Sequence, residues 1–346
     1  MVSAKALSVI RSIIAEHKFP IHMFVVFPRV NVDEIGKLEN RARYKGSYLS
    51  VTSSGDDVFK FFVKLKKRQA EGYIITYKSF WIFLTYEQKT DTRSVISILL
   101  KKLYPLIYYQ YIHVNDFLDI IEYLSRIYRI TVKEYLVRSK IVQGREKKGK
   151  KFTKVTKSWT EQRFSRDIFS KIMEKEKGII DALRLTISSY EFFADLRLYR
   201  NGSLTLYKGE PDIYPDIYTF IIEPYVKHAL GSIEKLSRVK RVFIKDKLDS
   251  EIHPLTLIFE GYKLTKDDYE LVLNSLSKQF FISVYYLGNP IFHALLTDRE
   301  EGSSFEIIAY GNKVEIIPDF KASAESLQIV LDVFSSINPH SKYVVM

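Results

Sequence analysis

The chain has 346 residues, of which 46% are hydrophobic and 27% charged, and 53 Lys and Arg against 41 Asp and Glu give a net charge of +12. This length suffices for two or three hydrophobic cores, and no stretch reaches the roughly 18 apolar residues that predict a transmembrane helix. The absence of cysteine excludes disulfides, thiolate catalysis and cysteine zinc sites, and it fits a cytoplasmic protein.

Residues 1–104 predict a basic unit of sheet and helices. Apolar periodicity indicates helices near 3–17 and 91–103, the second beginning at the N-cap Asp91. Alternating or continuous apolar runs indicate strands near 21–28, 47–52, 58–67, 72–77 and 80–86. Phe61, Val63 and Leu65 share one side of the third strand, and Lys64 lies on the other, so this strand is expected to have one buried and one open face.

Residues 105–237 predict a second unit that carries a basic loop and an inserted helix, together at about 138–178, with the helix itself expected at about 160–178. The patterns indicate strands at 105–112, 129–141, 182–188, 192–199 and 203–208, with helices at 115–127 and 216–236. Asn201-Gly202 between two strands is a strong hairpin signal. Tyr104, Tyr108, Tyr109 and Tyr111 lie close together at the first strand. Most aromatic residues are expected to pack in the core, but this strand could equally be an exposed edge that serves as a homodimer interface.

Residues 238–346 predict a third sheet-and-helix unit with an acidic to neutral surface. Its elements are expected at 255–260, 266–279, 280–288, 291–297, 304–310, 313–318 and 323–337, the second and the last being helices. Gly311-Asn312 marks a hairpin turn, and Ser323 starts the last helix as its N-cap.

Two internal repeats relate these units. Residues 103–132 align with 255–284 at a constant offset of 152, and both segments read as strand, helix, strand. Residues 61–78 align with 192–208, and both read as hairpins. We therefore predict an α+β protein of three related units, each a curved antiparallel sheet with helices packed on one face.

The order of elements resembles the repeat of the TATA-box-binding protein family, in which helix, strands and helix form half of a saddle. Residues 309–334 carry the best local likeness, with a glycine turn, a strand and a Ser-capped helix in the family's order. The resemblance implies a DNA-binding sheet, although the family has two repeats and its paired groove-inserting Phe residues have no match here. A helix-grip fold is the alternative for the same element order.

The positive charge is concentrated in the first half of the chain. Residues 1–170 carry a net charge of +16 and residues 171–346 a net charge of −4, and the segment 138–157 alone carries +8. Clustered Lys and Arg neutralise phosphates, and interleaved aromatic rings stack on bases. The predicted nucleic-acid-binding residues are Arg41, Arg43, Lys45, Lys60, Lys64, Lys66, Lys67, Arg68, Arg138, Lys140, Arg145, Lys147, Lys148, Lys150, Lys151, Lys154, Lys157, Trp159, Arg163 and Arg166.

No motif in the sequence indicates catalysis, a metal or a cofactor. The seven histidines lack metal-ligand spacing, and phosphate-binding glycine loops and serine-hydrolase signatures are absent. The main enzymatic alternative is a metal-dependent nuclease, for which Glu210, Asp212 and Asp216 with Lys245 and Asp246 are the candidate residues. The basic surface also leaves an anionic membrane surface or an acidic protein as alternative partners.

The sequence favours a non-enzymatic protein that binds nucleic acid, DNA in preference to RNA, through a basic loop and a basic hairpin. The third unit is expected to serve dimerisation or a protein partner. An oligomeric structural protein is the alternative from another class. Eight Asn and seven Gln among many charged residues are typical of thermophile proteins.

Overall fold

The structure is a computed structural model of the whole chain. It describes residues 4–16, 19–55, 57–86, 91–104, 106–141, 152–176, 178–189, 193–236, 239–244, 247–252, 254–288, 291–299, 302–319, 322–338 and 342–345. The chain divides into two compact units. Unit 1 contains Met1–Tyr135, Ser158–Phe164 and Ala182–His228, and unit 2 contains Leu136–Lys157, Ser165–Asp181 and Ala229–Met346.

The fold is α+β with antiparallel sheets. The α-helices are α1 (Ala4–Ala15), α2 (Ile35–Tyr44), α3 (Thr92–Leu103), α4 (Val114–Ile127), α5 (Arg166–Glu176), α6 (Tyr214–Ile217), α7 (Glu223–Leu236), α8 (Lys266–Leu276) and α9 (Ala324–Ser335). Short 3₁₀ turns cover Val32–Glu34 and Pro211–Ile213, and a π-helical turn covers Tyr218–Ile222.

The strands in the first part of the chain are β1 (Ile21–Pro28), β2 (Tyr48–Gly55), β3 (Val58–Leu65), β4 (Arg68–Thr76), β5 (Trp81–Tyr86), β6 (Ile107–Tyr108), β7 (Arg129–Ile141), β8 (Phe152–Arg163), β9 (Gly178–Ser188), β10 (Phe193–Tyr199) and β11 (Leu204–Gly209). The remaining strands are β12 (Val239–Ile244), β13 (Lys247–Ile252), β14 (Leu255–Ile258), β15 (Phe280–Leu287), β16 (Ile291–Asp298), β17 (Ser304–Tyr310), β18 (Lys313–Pro318) and β19 (Lys342–Val345).

The strands up to β11 form one sheet in the order β2-β3-β4-β5-β1-β11-β10-β9-β7-β8, with β6 paired to β1. Helices α2 and α3 pack on one face of β1–β5, where Phe24, Phe61, Trp81 and Leu99 belong to one buried core. Asp91 caps α3 as predicted, because its carboxylate accepts a hydrogen bond of 3.0 Å from the Ser94 N–H.

The prediction that helices pack on only one face is wrong for the centre of this sheet. In β1 all residues from Ile21 to Phe27 are buried, and Phe27 faces Tyr225 of α7, with the ring centroids 6.4 Å apart. A strand without polar alternation is buried on both faces, so it takes helices on both sides. The alternation that predicted an open face comes from β3, near the sheet edge, and it holds there.

The second large sheet has the order β15-β16-β17-β18-β14-β19 and lies in unit 2. Its buried face packs on α8 and α9 in a core that includes Phe280, Phe292, Val272 and Phe334. The Ser323 hydroxyl accepts a hydrogen bond of 3.1 Å from the Ser326 N–H, so the predicted cap of α9 is present. Strands β12 and β13 form a separate two-stranded hairpin.

Three local predictions differ from the structure. The tyrosine strand expected at 105–112 has only the two residues of β6, and Tyr108 and Tyr109 pack on Phe27 and Phe24 with ring centroids 6.1 and 6.5 Å apart. These rings are therefore internal packing and not an aromatic edge. Helix α2 was missed because its apolar positions span fewer than three turns. The helix expected from about 160 begins only at Arg166, after β8.

The basic segment 138–157 is not a simple loop. Its first residues belong to β7 and its last residues to β8, which are adjacent strands of the sheet. The β-branched Thr and Val residues in 152–158 are compatible with a strand, but the density of charge concealed this signal. Residues 142–151 lie outside the described residues.

Candidate nucleic-acid interface

Strands β2, β3 and β4 expose a face that carries lysines. On β3 the residues Phe61, Val63 and Leu65 are buried, whereas Lys60 and Lys64 are exposed, as the alternation predicts. The register places Tyr48 and Gln69 on either side of Lys64, and Thr52 and Tyr73 on either side of Lys60. We call the surface formed by Tyr48, Ser50, Thr52, Lys60, Phe62, Lys64, Gln69, Glu71 and Tyr73 the open face.

Aromatic rings lie between the lysines of the open face. Phe62 follows Lys60 by two residues and precedes Lys64 by two, so the three side chains point to the same side of the strand. Tyr48 is 46% exposed, and its ring contacts that of Phe62 edge to face with centroids 6.2 Å apart. Cations that alternate with accessible rings match the repeating phosphates and bases of a nucleic-acid strand.

The β3–β4 turn extends this positive charge beyond the sheet. Leu65 pairs with Arg68, so Lys66 and Lys67 are the two residues of the turn. The side chains of Lys66, Lys67 and Arg68 are all exposed. Lys66 has φ +54°, in the left-handed region that favours glycine. A two-residue hairpin turn requires such a conformation, and here a lysine adopts it.

The ends of α2 and α3 bring further cations to the same end of the β2–β3 hairpin. The Lys102 ammonium donates to the Lys45 carbonyl, and the Arg41 guanidinium donates to the Tyr104 carbonyl at 3.0 Å. Lys45 precedes Tyr48, the first residue of β2, by three residues, and Tyr48 lies opposite Lys64. We call this region the basic end, formed by Arg41, Arg43, Lys45, Lys64, Lys66, Lys67, Arg68, Lys101 and Lys102.

The fold thus brings together two predicted clusters that are 15 or more residues apart in the sequence, one at residues 41–45 and one at residues 60–68. It adds Lys101 and Lys102, which the sequence patterns did not predict. The signal for these two was present as a Lys pair in the last turn of a predicted helix. Cations there also stabilise the helix through its dipole, and the basic residues in the last turn of α2 act in the same way.

Strand β8 presents a second cationic row. Lys157, Trp159, Glu161 and Arg163 are exposed and alternate with less exposed residues, so Glu161 offsets part of the positive charge of this row. Trp159 is 67% exposed. In the strand order β8 is at the opposite edge from β2, so Trp159 and Arg163 are not part of the basic end. Lys140 and Lys154 belong to β7 and β8, whereas Arg145, Lys147, Lys148, Lys150 and Lys151 lie outside the described residues.

Two other predicted cations have structural contacts. Arg138 donates to the Asp181 carboxylate at 2.6 Å, and the side chain of Asp181 is only 12% exposed. Arg166 is the first residue of α5 and is partly buried. Both remain candidates by charge, but the Asp181 ion pair reduces the charge that Arg138 offers to a phosphate.

An ion network inside unit 1 accounts for further Arg residues. Arg184 makes two hydrogen bonds of 2.9 and 3.0 Å to Asp195, and Arg197 donates to Glu134, whose side chain is 1% exposed. Burial acts to raise the pKa of Asp195, but Arg184 and Lys133 outweigh it and hold that pKa below its usual value. These cations are neutralised within the fold, so the network is structural.

The candidate nuclease carboxylates have separate contacts in unit 1. Asp212 forms an ion pair of 2.9 Å with Arg11, and Asp216 lies 3.4 Å from the Tyr128 hydroxyl. Glu210 is exposed just before the 3₁₀ turn. Lys245 and Asp246 lie outside the described residues, and within the described part no group of three or more His, Asp or Glu side chains is arranged to hold a metal ion.

Comparisons with known proteins do not assign a family. No protein-family model and no curated protein matches the chain. A match among solved structures is the Bacillus megaterium YpeB C-terminal domain, which is 11% identical, covers 84% of this chain and 99% of that chain, and has a TM-score of 0.16. A TM-score this low supports no argument about fold or function. None of the described helices is both long and apolar enough to cross a membrane.

Proposed function

We propose that this protein binds nucleic acid without catalysis, DNA in preference to RNA, with the basic end and the open face as its contact surface. The observation that supports the proposal best is the row on β3 in which exposed Lys60 and Lys64 flank Phe62, with Tyr48 beside them on β2. The lysines would contact phosphates, and the rings would stack on bases of a single-stranded or distorted segment.

Strand β8 provides a second contact in this proposal. Exposed Trp159 and Arg163 continue the cationic segment that begins with Arg138, and residues 142–151 add five more Lys and Arg. In the sheet order β8 lies at the opposite edge from β2. A nucleic-acid strand that contacts both β8 and the basic end would therefore have to be longer than one that contacts the basic end alone. The length dependence of affinity therefore reports on this second contact.

The finer fold prediction belongs to the same proposal. Three related units like those of the TATA-box-binding protein family, or of a helix-grip fold, agree with the strand–helix–strand order of β6-α4-β7 and β14-α8-β15. In this scheme residues 1–104 and 105–237 bind the polyanion, and 238–346 provide dimerisation or a protein partner. We place this activity in the cytoplasm because the sequence has no cysteine.

The test is a fluorescence-anisotropy titration of duplex DNA, single-stranded DNA and RNA across a salt series. In the variant Lys60→Gln, Lys64→Gln, Lys66→Gln we expect weaker binding and a slope of log K against log salt that falls by about 2 to 3, since each phosphate contact contributes about 0.7 to 0.9. The variant Phe62→Ala should weaken single-stranded DNA by roughly 1–3 kcal/mol and leave the slope unchanged.

Lys78→Gln is the matched control. Lys78 is exposed in the β4–β5 turn, at the opposite end of β4 from Arg68 and about 30 Å away by strand rise. We expect this variant to bind as the unchanged protein does. Absence of binding to all three ligands at low salt would exclude the proposed function. A fall of the salt slope by about 0.7 to 0.9 in Lys78→Gln, the effect of one contacting lysine, would move the interface away from the basic end.

A further inference from the structure

The sheet of unit 2 has an exposed face that is unusually aromatic. Five large side chains on it are well exposed: Phe281 60%, Tyr285 62%, Tyr286 54%, Ile291 45% and Tyr310 40%. We call this surface the aromatic face. Single exposed apolar residues are ordinary, but a contiguous group of this size marks an interaction site.

Strand register shows that these side chains share one face. Phe281 pairs with Thr297, Tyr286 with His293, and Ile291 with Tyr310. A bulge at Tyr285 brings its ring to 4.9 Å from the His293 ring, so it lies on the same side. The alternate residues Phe292, Ala294 and Leu296 form the core with α8 and α9, so the aromatic face is the side of the sheet that these helices leave uncovered.

We propose that the aromatic face is the contact between two copies of this chain, packed face to face about a two-fold axis, which specifies the dimerisation role proposed above for residues 238–346 and rests on it. Charge favours a second copy at this place. Glu306 and Glu315 balance Lys313 and Arg299 on and beside the face, so two proteins of net charge +12 meet here without local repulsion. A two-fold axis brings the same apolar residues of both copies together.

The exposed area is sufficient for such a contact. Five large side chains that are each about half exposed offer roughly 500 Å² per copy, because a Phe or Tyr side chain buries about 150–250 Å². Two copies packed face to face would thus bury about 1,000 Å² from these side chains, the lower limit for a specific interface. The aromatic face carries no net positive charge, so unlike the basic end it is not expected to bind a polyanion.

The experiment measures the mass of the nuclease-treated protein by sedimentation velocity from about 1 to about 200 µM, in low and high salt. We expect a monomer–dimer equilibrium in which Tyr285→Lys and Ser283→Lys each weaken the dimer at least about tenfold. Both positions are exposed, so the variants should retain the circular dichroism spectrum of the unchanged protein. Salt should strengthen the dimer by screening the charge of the two copies.

Tyr123→Lys is the control, because Tyr123 is 50% exposed on α4 of unit 1 and thus comparable in size and exposure to Tyr285. This variant should dimerise as the unchanged protein does. A protein that stays monomeric over the whole concentration range contradicts the proposal. So does a dimer that the β15 variants leave intact or that Tyr123→Lys weakens equally.

Discussion

Arg residues of this basic protein have two different roles, which are distinguished by the exposure of their partners. Arg197 is bonded to Glu134, whose carboxylate is buried, whereas Arg126 is bonded to Glu122 at 2.9 Å on the surface of α4. A buried carboxylate depends on its cation, because water cannot replace the lost contact. An exposed pair contributes little, since both ions are solvated and screened.

We therefore expect Arg197→Ala to lower the free energy of unfolding by about 3–5 kcal/mol, the usual effect of removing one member of a buried pair. Arg126→Ala is the control and should lower it by less than about 1 kcal/mol. Urea unfolding followed by circular dichroism measures both. Similar effects of the two substitutions would show that Glu134 does not depend on Arg197.

At the level of elements, the β3–β4 hairpin combines an unfavourable turn residue with a favourable charge. Lys66 adopts φ +54°, a conformation that strains any residue with a side chain. Glycine would fit this position better. Lys67 is not among the residues with positive φ, so its backbone has no such strain. The presence of a lysine at this strained position agrees with a role for its charge in the proposed binding.

Replacement of each turn lysine by glycine separates stability from binding. Lys66→Gly should raise the free energy of unfolding by up to about 1 kcal/mol, because the left-handed conformation costs glycine little. Lys67→Gly should lower it by about 0.5–1 kcal/mol, because it only adds freedom to the unfolded chain. Both should reduce the salt slope of nucleic-acid binding by about 0.7 to 0.9.

Thermal unfolding and the anisotropy titration measure these two quantities on the same samples. Loss of stability in Lys66→Gly would mean that the lysine side chain itself holds the turn. Unchanged binding in both variants would show that the turn lysines do not contact the nucleic acid. It would not bear on contacts made by Lys60 and Lys64.

At the scale of the whole molecule, the two large sheets differ in how far their contacts extend along the chain. Among the described residues, those fully buried in the core of the second sheet lie between Leu255 and Phe334. In the first sheet, β1 pairs with β11, so that Ile21 lies opposite Leu206. A unit that begins at residue 105 therefore lacks the strand that covers β11.

A fragment of residues 254–346 is expected to fold by itself, with a cooperative thermal transition, because its core is complete. A fragment of residues 105–237 is the comparison, and it should lack such a transition since β11 has lost β1. Circular dichroism melting of both fragments is the measurement. Cooperative folding of both would instead support three independent units.

The sequence by itself determined the features that depend on neighbouring residues. The turns at Gly202 and Gly311, with φ of +74° and +59°, the caps Asp91 and Ser323, and the alternation in β3 were all predicted correctly. Each requires signals only two to four residues apart, because turns and caps are closed by local hydrogen bonds. The excess of positive charge in the first half was equally evident from composition.

Only the tertiary structure decided which cations lie together and which aromatic residues are accessible. The contacts from Lys102 to Lys45 and from Arg41 to Tyr104 join residues 57 and 63 positions apart, and no local pattern specifies them. In the same way, Tyr109 and Tyr285 both occur in aromatic runs, but one packs on Phe24 and the other is 62% exposed. Burial depends on what packs against a strand, which is a property of the folded chain.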